Sequence, residues 1–476
     1  MKKTVIRISC FLILLATVLN ITNHIFKVKY GDGIYGCTKF YELKDNTVDV
    51  LFLGSSHAFE DFNTGVLWSD YGMAAYILAG SDQPLWNTYY YLKEALKTQK
   101  PELIVLEGYL TTYQQEYIKD SKIIKNNFGL KWSGDKIDSI KVSAPEERWG
   151  EFLLEYVQYH NRYTELSSED FLPDQGKALY HDWKGFGCNM NTSELENRDV
   201  SYVTERMPLY QKTETYYRKI IELAQKNNIP ITVIISPYAE ITEEEQKLYH
   251  TAEGIAAEYG VDFKNYNLCY QEAELDFTTD AADGAHLNYK GNQKFSRVVG
   301  EYLKNKYDIS DRRGDSRYLS WENNAEFIKE QINNQILTET SDMGSFLSQA
   351  DNGNYSYIIS IDGRCHSGME DVKAIIDAFH ISGDSHQGIW YTDMDGEIWY
   401  SGREEAEKYI KPDGHDICMR RVWREDTADY ANTLIVDNVE YKKVTNGVNI
   451  TIYSDVTQTI VDSVGFNADD SFRLIR

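Results

Sequence analysis

Two short clusters of reactive side chains stand out. The first is Leu53-Gly54-Ser55-Ser56-His57, and the second is Asp283-Gly284-Ala285-His286-Leu287-Asn288. A serine hydroxyl becomes a useful nucleophile only when a base takes its proton. A carboxylate must in turn hold that base in the right tautomer. Ser56, His286 and Asp283 are the three residue types this chemistry needs. Asp283 and His286 are three residues apart, so the carboxylate can reach Nδ1 within one turn and leave Nε2 free for the serine. Each cluster alone is a common pattern. Their chain order and their places after the first and last predicted strands make the pairing specific. His57 adjoins the serine, and neighbouring side chains diverge, so it is expected as a turn or supporting residue rather than as the base.

Both clusters need a scaffold that brings distant loops together. From about Asn46 to Tyr307 the sequence alternates short apolar runs with helical periodicity. Val48–Leu53, Ala74–Ala79, Leu103–Leu106, Pro230–Ile235 and Val261–Phe263 are predicted strands. Leu85–Leu96, Tyr216–Lys226 and Glu243–Tyr259 are predicted helices. Continuous apolar strands between helices indicate an α/β fold with a parallel sheet covered on both faces. Such folds carry reactive groups at the carboxyl ends of the strands. Residues from about 110 to 212 form a long insertion of weak periodicity, containing Trp132, Trp149, Trp183 and Phe186. It is expected to be either a lid or an added packing layer. His160 and His181 within it are expected to be ordinary polar residues.

These blocks resemble the SGNH/GDSL hydrolase superfamily over roughly Asn46–Tyr307. The resemblance implies a three-layer α/β/α fold. Ser56 matches the family serine, with Ser55 where Asp is usual, and Asp283 and His286 match the closing Asp-x-x-His. Gly80 in Leu78-Ala79-Gly80-Ser81-Asp82-Gln83 fits the glycine whose N–H helps bind the oxyanion. The family's third block normally supplies an Asn, but here the third strand ends Glu107-Gly108-Tyr109. An ionised carboxylate cannot donate a hydrogen bond. The implied oxyanion hole therefore consists of the Ser56 and Gly80 amides, with the Gln83 side chain as a further donor. Glu107 is expected either to orient the site or to cap a helix. The Gly-Ser-Ser variant with an N-terminal anchor is similar to proteins of surface acyl modification. Examples are the alginate O-acetylation proteins and the D-alanyl transfer protein of teichoic acid modification. That likeness implies work beside a membrane-bound O-acyltransferase.

The N-terminus supports an exterior location. Lys2, Lys3 and Arg7 precede an uncharged run from Ile8 to Phe26, long enough to span a bilayer core. Basic flanks stay in the cytoplasm, which places the rest of the chain outside. No clear small-residue cleavage site follows, so residues 1–27 are expected to be a retained single-pass anchor rather than a removed signal. The formal charge is −25, from 49 basic and 74 acidic residues. Such a surface repels a phosphate backbone, so nucleic acid is not an expected partner. The 36 tyrosines suit either a sugar-stacking surface or the half-buried edges of cores. Cys10 lies in the anchor. Cys37, Cys188, Cys269, Cys365 and Cys418 are scattered without a C-x-x-C pair, which fits neither a zinc site nor a dense disulfide framework. Nor does the sequence contain a Gly-rich phosphate loop or metal-ligand cluster, so no cofactor and no metal are expected.

After the α/β domain, placed at 28–312, residues 313–350 are expected as a linking helix. Residues 351–476 are expected as a separate β-rich domain. Its predicted strands are Tyr355–Ile361, Gly388–Thr392, Glu397–Tyr400, Thr433–Val436 and Val448–Tyr453, interrupted by a helix near Met369–Phe379. Asp395-Gly396 marks a hairpin. Asn446–Tyr453 followed by Val461–Phe466 resembles the closing strands of interleukin-like EMT inducer domains, which implies a lectin-like β-sandwich. Asn191, Asn354 and Asn449 begin glycosylation sequons. The expected function is a serine-dependent acyl-ester enzyme, with acetyl as the expected group, acting on extracytoplasmic cell-surface polysaccharide as esterase or O-acyltransferase. The alternative is a weak or inactive SGNH-fold protein that binds glycan or serves as a scaffold.

Overall fold

The structure is a computed structural model. It describes residues 2–29, 31, 33–172, 183–363, 369–379, 381, 387–393, 396–402, 404–411, 415–426 and 428–476. His181, Cys365 and Asp395, singled out above, lie outside the described residues. The chain divides into two compact units, Met1–Ala325 and Glu326–Arg476. The division falls inside one helix, Leu319–Glu339.

The first unit is built on a five-stranded parallel sheet of order β2-β1-β3-β4-β5. Its strands are β1 (Val50–Gly54), β2 (Ala75–Ala79), β3 (Leu103–Glu107), β4 (Ile231–Ile235) and β5 (Asp262–Asn265). Every residue of β1 to β4 is buried, which explains their largely apolar sequences. In register, Val50 to Gly54 pair with Ala75 to Ala79 on one side, and Val50 to Leu53 with Leu103 to Leu106 on the other. The chain leaves β1 for β2 on one side and then returns to β3 on the other. That reversal lies between β1 and β3, and ligands in open α/β sheets bind beyond the carboxyl ends of the strands at such a point.

The insertion after β3 is more ordered than its sequence suggested. It contains helices Asp120–Lys125, Gly134–Ser143, Trp149–Leu153 and Glu155–Tyr159. Phe128, Leu130, Ile140, Phe152 and Tyr159 are buried in the same core as Leu51 and Ile104, so this stretch is a packing layer. Its later part meets the edge of the sheet at Lys184 and Gly185 and then passes beside residues 277–289. The Ile77 amide donates to the Lys184 carbonyl at 2.8 Å, covering backbone that β2 would otherwise leave unpaired.

Lys2–Phe26 is one continuous helix with a mean hydropathy of 2.1 in its most apolar window and no buried residues. It is long and apolar enough to cross a membrane, a property that signal sequences share.

The second unit has two antiparallel sheets. One has the order β12-β11-β10-β9, from Val439–Glu440, Asp429–Val436, Ile417–Arg424 and Ala406–Ile410. The other has the order β15-β14-β13-β6-β7-β8, from Arg473–Ile475, Thr459–Asn467, Gly447–Ser454, Tyr355–Asp362, Gly388–Asp393 and Gly396–Ser401. The two sheets meet through Ile358, Ile389, Ile417, Met419, Leu434 and Val436. The other face of the six-stranded sheet packs Tyr357, Ile359, Ile450 and Phe466 against Val372 and Ile375 of a covering helix, Met369–Ala378. Burial on both faces explains why β6 and β13 have no exposed positions.

Candidate active site

β1 ends at Gly54, and a helix begins two residues later at Ser56 and runs to Asp61. The turn between them is tight. A Cβ on Gly54 would sit 2.8 Å from Glu107 Cβ and 3.0 Å from Ala58 Cβ, so only glycine fits there. This turn lifts Ser56 above the carboxyl edge of the sheet. As the first helical residue, Ser56 also has a backbone N–H with no intrahelical partner.

The second cluster forms a closed loop over the same edge. Ala281 and Leu287 pair as an antiparallel bridge, and the Ala282 amide donates to the His286 carbonyl at 2.9 Å. Within the loop, Asp283 Oδ1 accepts from the Ala285 and His286 amides at 2.8 and 3.0 Å. Asn288 then caps the helix Tyr289–Lys306 by accepting from the Lys290 and Gly291 amides. This is an aspartate turn followed by an asparagine cap, each with a clear local cause.

These loops bring the sequence-predicted residues together. The Ser56 hydroxyl donates to His286 Nε2 across 2.8 Å. His286 Nδ1 lies 3.0 and 3.1 Å from the two Asp283 carboxylate oxygens. The hydroxyl, imidazole and carboxylate thus form one continuous chain. Burial would raise the Asp283 carboxyl, but the Ala285 amide and His286 outweigh it and hold it below the usual range. For His286, burial favours the neutral ring. The negative charges of Asp61 and Glu60 and the bond to Asp283 overcome this and raise its pKa above the ordinary 6.5.

Several supporting residues were not identified from sequence. Asp61 is fully buried, and its Oδ1 accepts from the Leu287 amide at 2.9 Å. That bond ties the nucleophile helix to the histidine loop. Glu60 Oε2 lies 3.9 Å from His286 Nδ1 and accepts from Asn189 Nδ2 at 3.2 Å. Burial pushes Glu60 and Asp61 each up to about 7. Glu60 was detectable in principle, because it stands one helical turn beyond Ser56 and therefore on the same face.

His57 occupies the supporting position expected of it. It is buried and stacks on Tyr109 at 3.9 Å between ring centroids, with Tyr238 at 5.1 Å and His286 at 5.0 Å. Burial pushes its pKa well below the ordinary value, so the ring is neutral. Its Nδ1 is 3.5 Å from Asp61 Oδ2.

The residues expected on the oxyanion side lie at the ends of β2 and β3 and just beyond. Gly80 follows β2 and sits tightly against its surroundings, since a Cβ there would meet Asn126 Oδ1 at 2.3 Å. Gln83 is fully buried, and its side-chain Nε2 donates to Thr88 Oγ1 at 3.2 Å. One of its two Nε2 hydrogens is thus used by the helix it precedes, Leu85–Ala95. Glu107 is buried at the end of β3, and its Oε1 accepts from the Tyr109 amide at 3.0 Å. Burial, with the like charge of Asp61, raises its pKa well above the ordinary value and favours the protonated acid. The two roles expected for Glu107 therefore resolve toward a turn-capping bond beneath the site.

Among the described residues, no group of three or more His, Cys, Asp or Glu is arranged to hold a metal ion. Cys10, Cys37, Cys188, Cys269 and Cys418 are free thiols.

No protein-family model matches the chain, and no curated protein is similar to it. Among solved structures, the chain is similar to one titled a "putative acylhydrolase" from Bacteroides fragilis. The two share 12% identity and a TM-score of 0.28, over 56% of this chain and 94% of that one. A likeness this distant carries no argument about chemistry, which rests on the geometry of the site itself.

Proposed function

We propose that the protein is a serine-dependent acyl-ester enzyme of the SGNH type. The observation that carries this reading is the unbroken chain from Ser56 Oγ through His286 to Asp283 at the carboxyl edge of a parallel sheet. His286 Nε2 takes the Ser56 proton as Oγ attacks the ester carbonyl. The tetrahedral oxyanion is met by the Ser56 and Gly80 amides. The imidazolium then protonates the leaving alcohol, and the acyl group remains on Ser56. Water or a sugar hydroxyl, deprotonated by the same histidine, removes it. Water makes the protein an esterase, and a sugar hydroxyl makes it an O-acyltransferase.

The substrate side of the reading is an acetylated cell-surface polysaccharide outside the cytoplasm. It is supported by the apolar helix Lys2–Phe26 behind the basic residues Lys2, Lys3 and Arg7, and by the acidic body of the chain. A single-pass anchor would hold the site beside the membrane, where a membrane-bound O-acyltransferase could supply acyl groups. The β-rich second unit would contribute glycan contacts.

A second reading is a glycan-binding or scaffold protein on the same fold. Gln83, which spends one of its two Nε2 hydrogens on Thr88, and the acid Glu107 in place of an asparagine favour it, because both weaken the side-chain donor set of the oxyanion hole. Loss of one oxyanion donor typically costs about 10²–10³-fold in rate, so the first reading predicts slow turnover rather than none. The test is release of acetate or p-nitrophenol from simple esters by the chain begun at Lys27. Turnover above background that Ser56→Ala abolishes supports the enzyme. Turnover that survives Ser56→Ala removes the serine mechanism. No turnover from a folded protein favours the binding protein.

A further inference from the structure

A serine triad has one carboxylate behind its histidine, but His286 here faces two. Asp283 belongs to the histidine's own loop, and its side chain is 51% exposed. Glu60 comes from the nucleophile helix, is 16% exposed, and places Oε2 3.9 Å from the same Nδ1 atom. Asn189, delivered by the insertion, donates to that Oε2 at 3.2 Å and fixes the carboxylate in place. We propose that Glu60 is a positioning residue for His286. It shares with Asp283 the tasks of orienting the imidazole and stabilising the imidazolium that forms as Ser56 attacks.

The proposal rests on the serine-enzyme reading, and three lines of geometry support it. First, Glu60 stands four residues after Ser56 on one helix, so nucleophile and carboxylate share a face and move as one body. Asp283, by contrast, bonds Nδ1 directly but belongs to the histidine's own loop rather than to the nucleophile helix. Second, an exposed ion pair is weakened by water and salt, whereas a largely buried one is weakened less. The half-exposed Asp283 is therefore the poorer electrostatic partner and the better hydrogen-bond acceptor. Third, the negative charge of Glu60, 3.9 Å from Nδ1, is among the causes that raise the His286 pKa against burial, so it favours the imidazolium. No extra reactant is needed. The serine proton moves to Nε2, the Nδ1 proton stays in its bond to Asp283 with the Glu60 charge 3.9 Å away, and Nε2 delivers its proton to the leaving alcohol.

Other groups around His286 are accounted for. Asp61, on the nucleophile helix, adds a third negative charge but bonds to the Leu287 amide rather than to the ring. His57 is 5.0 Å away and neutral. Glu240, on the segment after β4, packs against Gly284, and its amide donates to the Gly284 carbonyl at 2.9 Å.

The test combines Asp283→Ala, Glu60→Gln and the double variant in the full chain. Glu60→Gln keeps an oxygen for Asn189 while removing the charge. Loss of a sole triad carboxylate typically costs about 10⁴-fold in kcat. With Glu60 in support, Asp283→Ala should lose only about 10–100-fold, and the double variant should fall the full distance. Independently of turnover, the His286 C2–H titration followed by NMR should move to lower pH in Glu60→Gln. A full 10⁴-fold loss in Asp283→Ala alone, or a His286 titration unmoved by Glu60→Gln, overturns the proposal. Should the wild type prove inactive on every ester, the serine reading fails, while the titration still decides whether Glu60 acts on His286.

Discussion

At the scale of residues, the site depends on the protonation of one imidazole. His286 is a base only when neutral, and its pKa lies above 6.5 despite burial, because Asp61, Glu60 and Asp283 surround it with negative charge. Below that pKa the ring holds a proton and cannot accept one from Ser56. Hydrolysis should therefore fall as pH drops, with a midpoint above the 6.5 of an ordinary imidazole. A kcat/KM profile against pH checks this, and an acid limb at or below that value would contradict the charge assignment. Ser56, Asp283 and His286 were legible in the sequence because their residue types and spacing are dictated by one reaction. Asp61, Glu60 and Asn189 were not. A carboxylate four or five residues after a serine is common, and Asn189 acts from a distant segment whose path only the fold determines.

At the scale of elements, β1 to β4 of the first unit were legible because they are buried on both faces and thus almost wholly apolar. The insertion was less so. Its helices are short, and Lys136 and Glu155 form a buried ion pair among the apolar contacts, which blurs the periodicity. Strands Ala406–Ile410 and Ile417–Arg424 were missed for a related reason. Their exposed faces carry Glu407, Arg420 and Arg424, so little apolar sequence marks them. The bond from the Leu287 amide to Asp61 joins the two elements that carry the nucleophile and the base. Asp61→Ala should free the histidine loop, because a buried amide loses its acceptor. A misplacement of about 1 Å can cost about 10²-fold, so kcat should fall by roughly that factor with KM little changed. Steady-state kinetics on a p-nitrophenyl ester measures the split. A rise in KM with kcat intact would show that Asp61 serves binding instead.

At the scale of the whole molecule, two units with separate cores make separate demands on stability. Phe466 is fully buried in the core of the second unit, and Phe→Ala in a core typically costs about 3–5 kcal/mol. Phe466→Ala should lower one calorimetric transition, leave another in place and spare ester hydrolysis. A single transition that shifts as a whole would show that the units unfold together. The many tyrosines also find an explanation at this scale. Tyr76, Tyr91, Tyr217, Tyr249, Tyr266, Tyr289, Tyr318 and Tyr355 are among the largest fully buried side chains, so much of the tyrosine content is core rather than a sugar-stacking surface. The central claim, that Ser56 is a nucleophile activated by His286, is tested most directly by covalent labelling of the intact chain with a fluorophosphonate. Peptide mass spectrometry should place one phosphonyl adduct on Ser56, absent in Ser56→Ala and formed far more slowly in His286→Ala. An unlabelled Ser56 in the folded wild type, or labelling at an undiminished rate in His286→Ala, would contradict it.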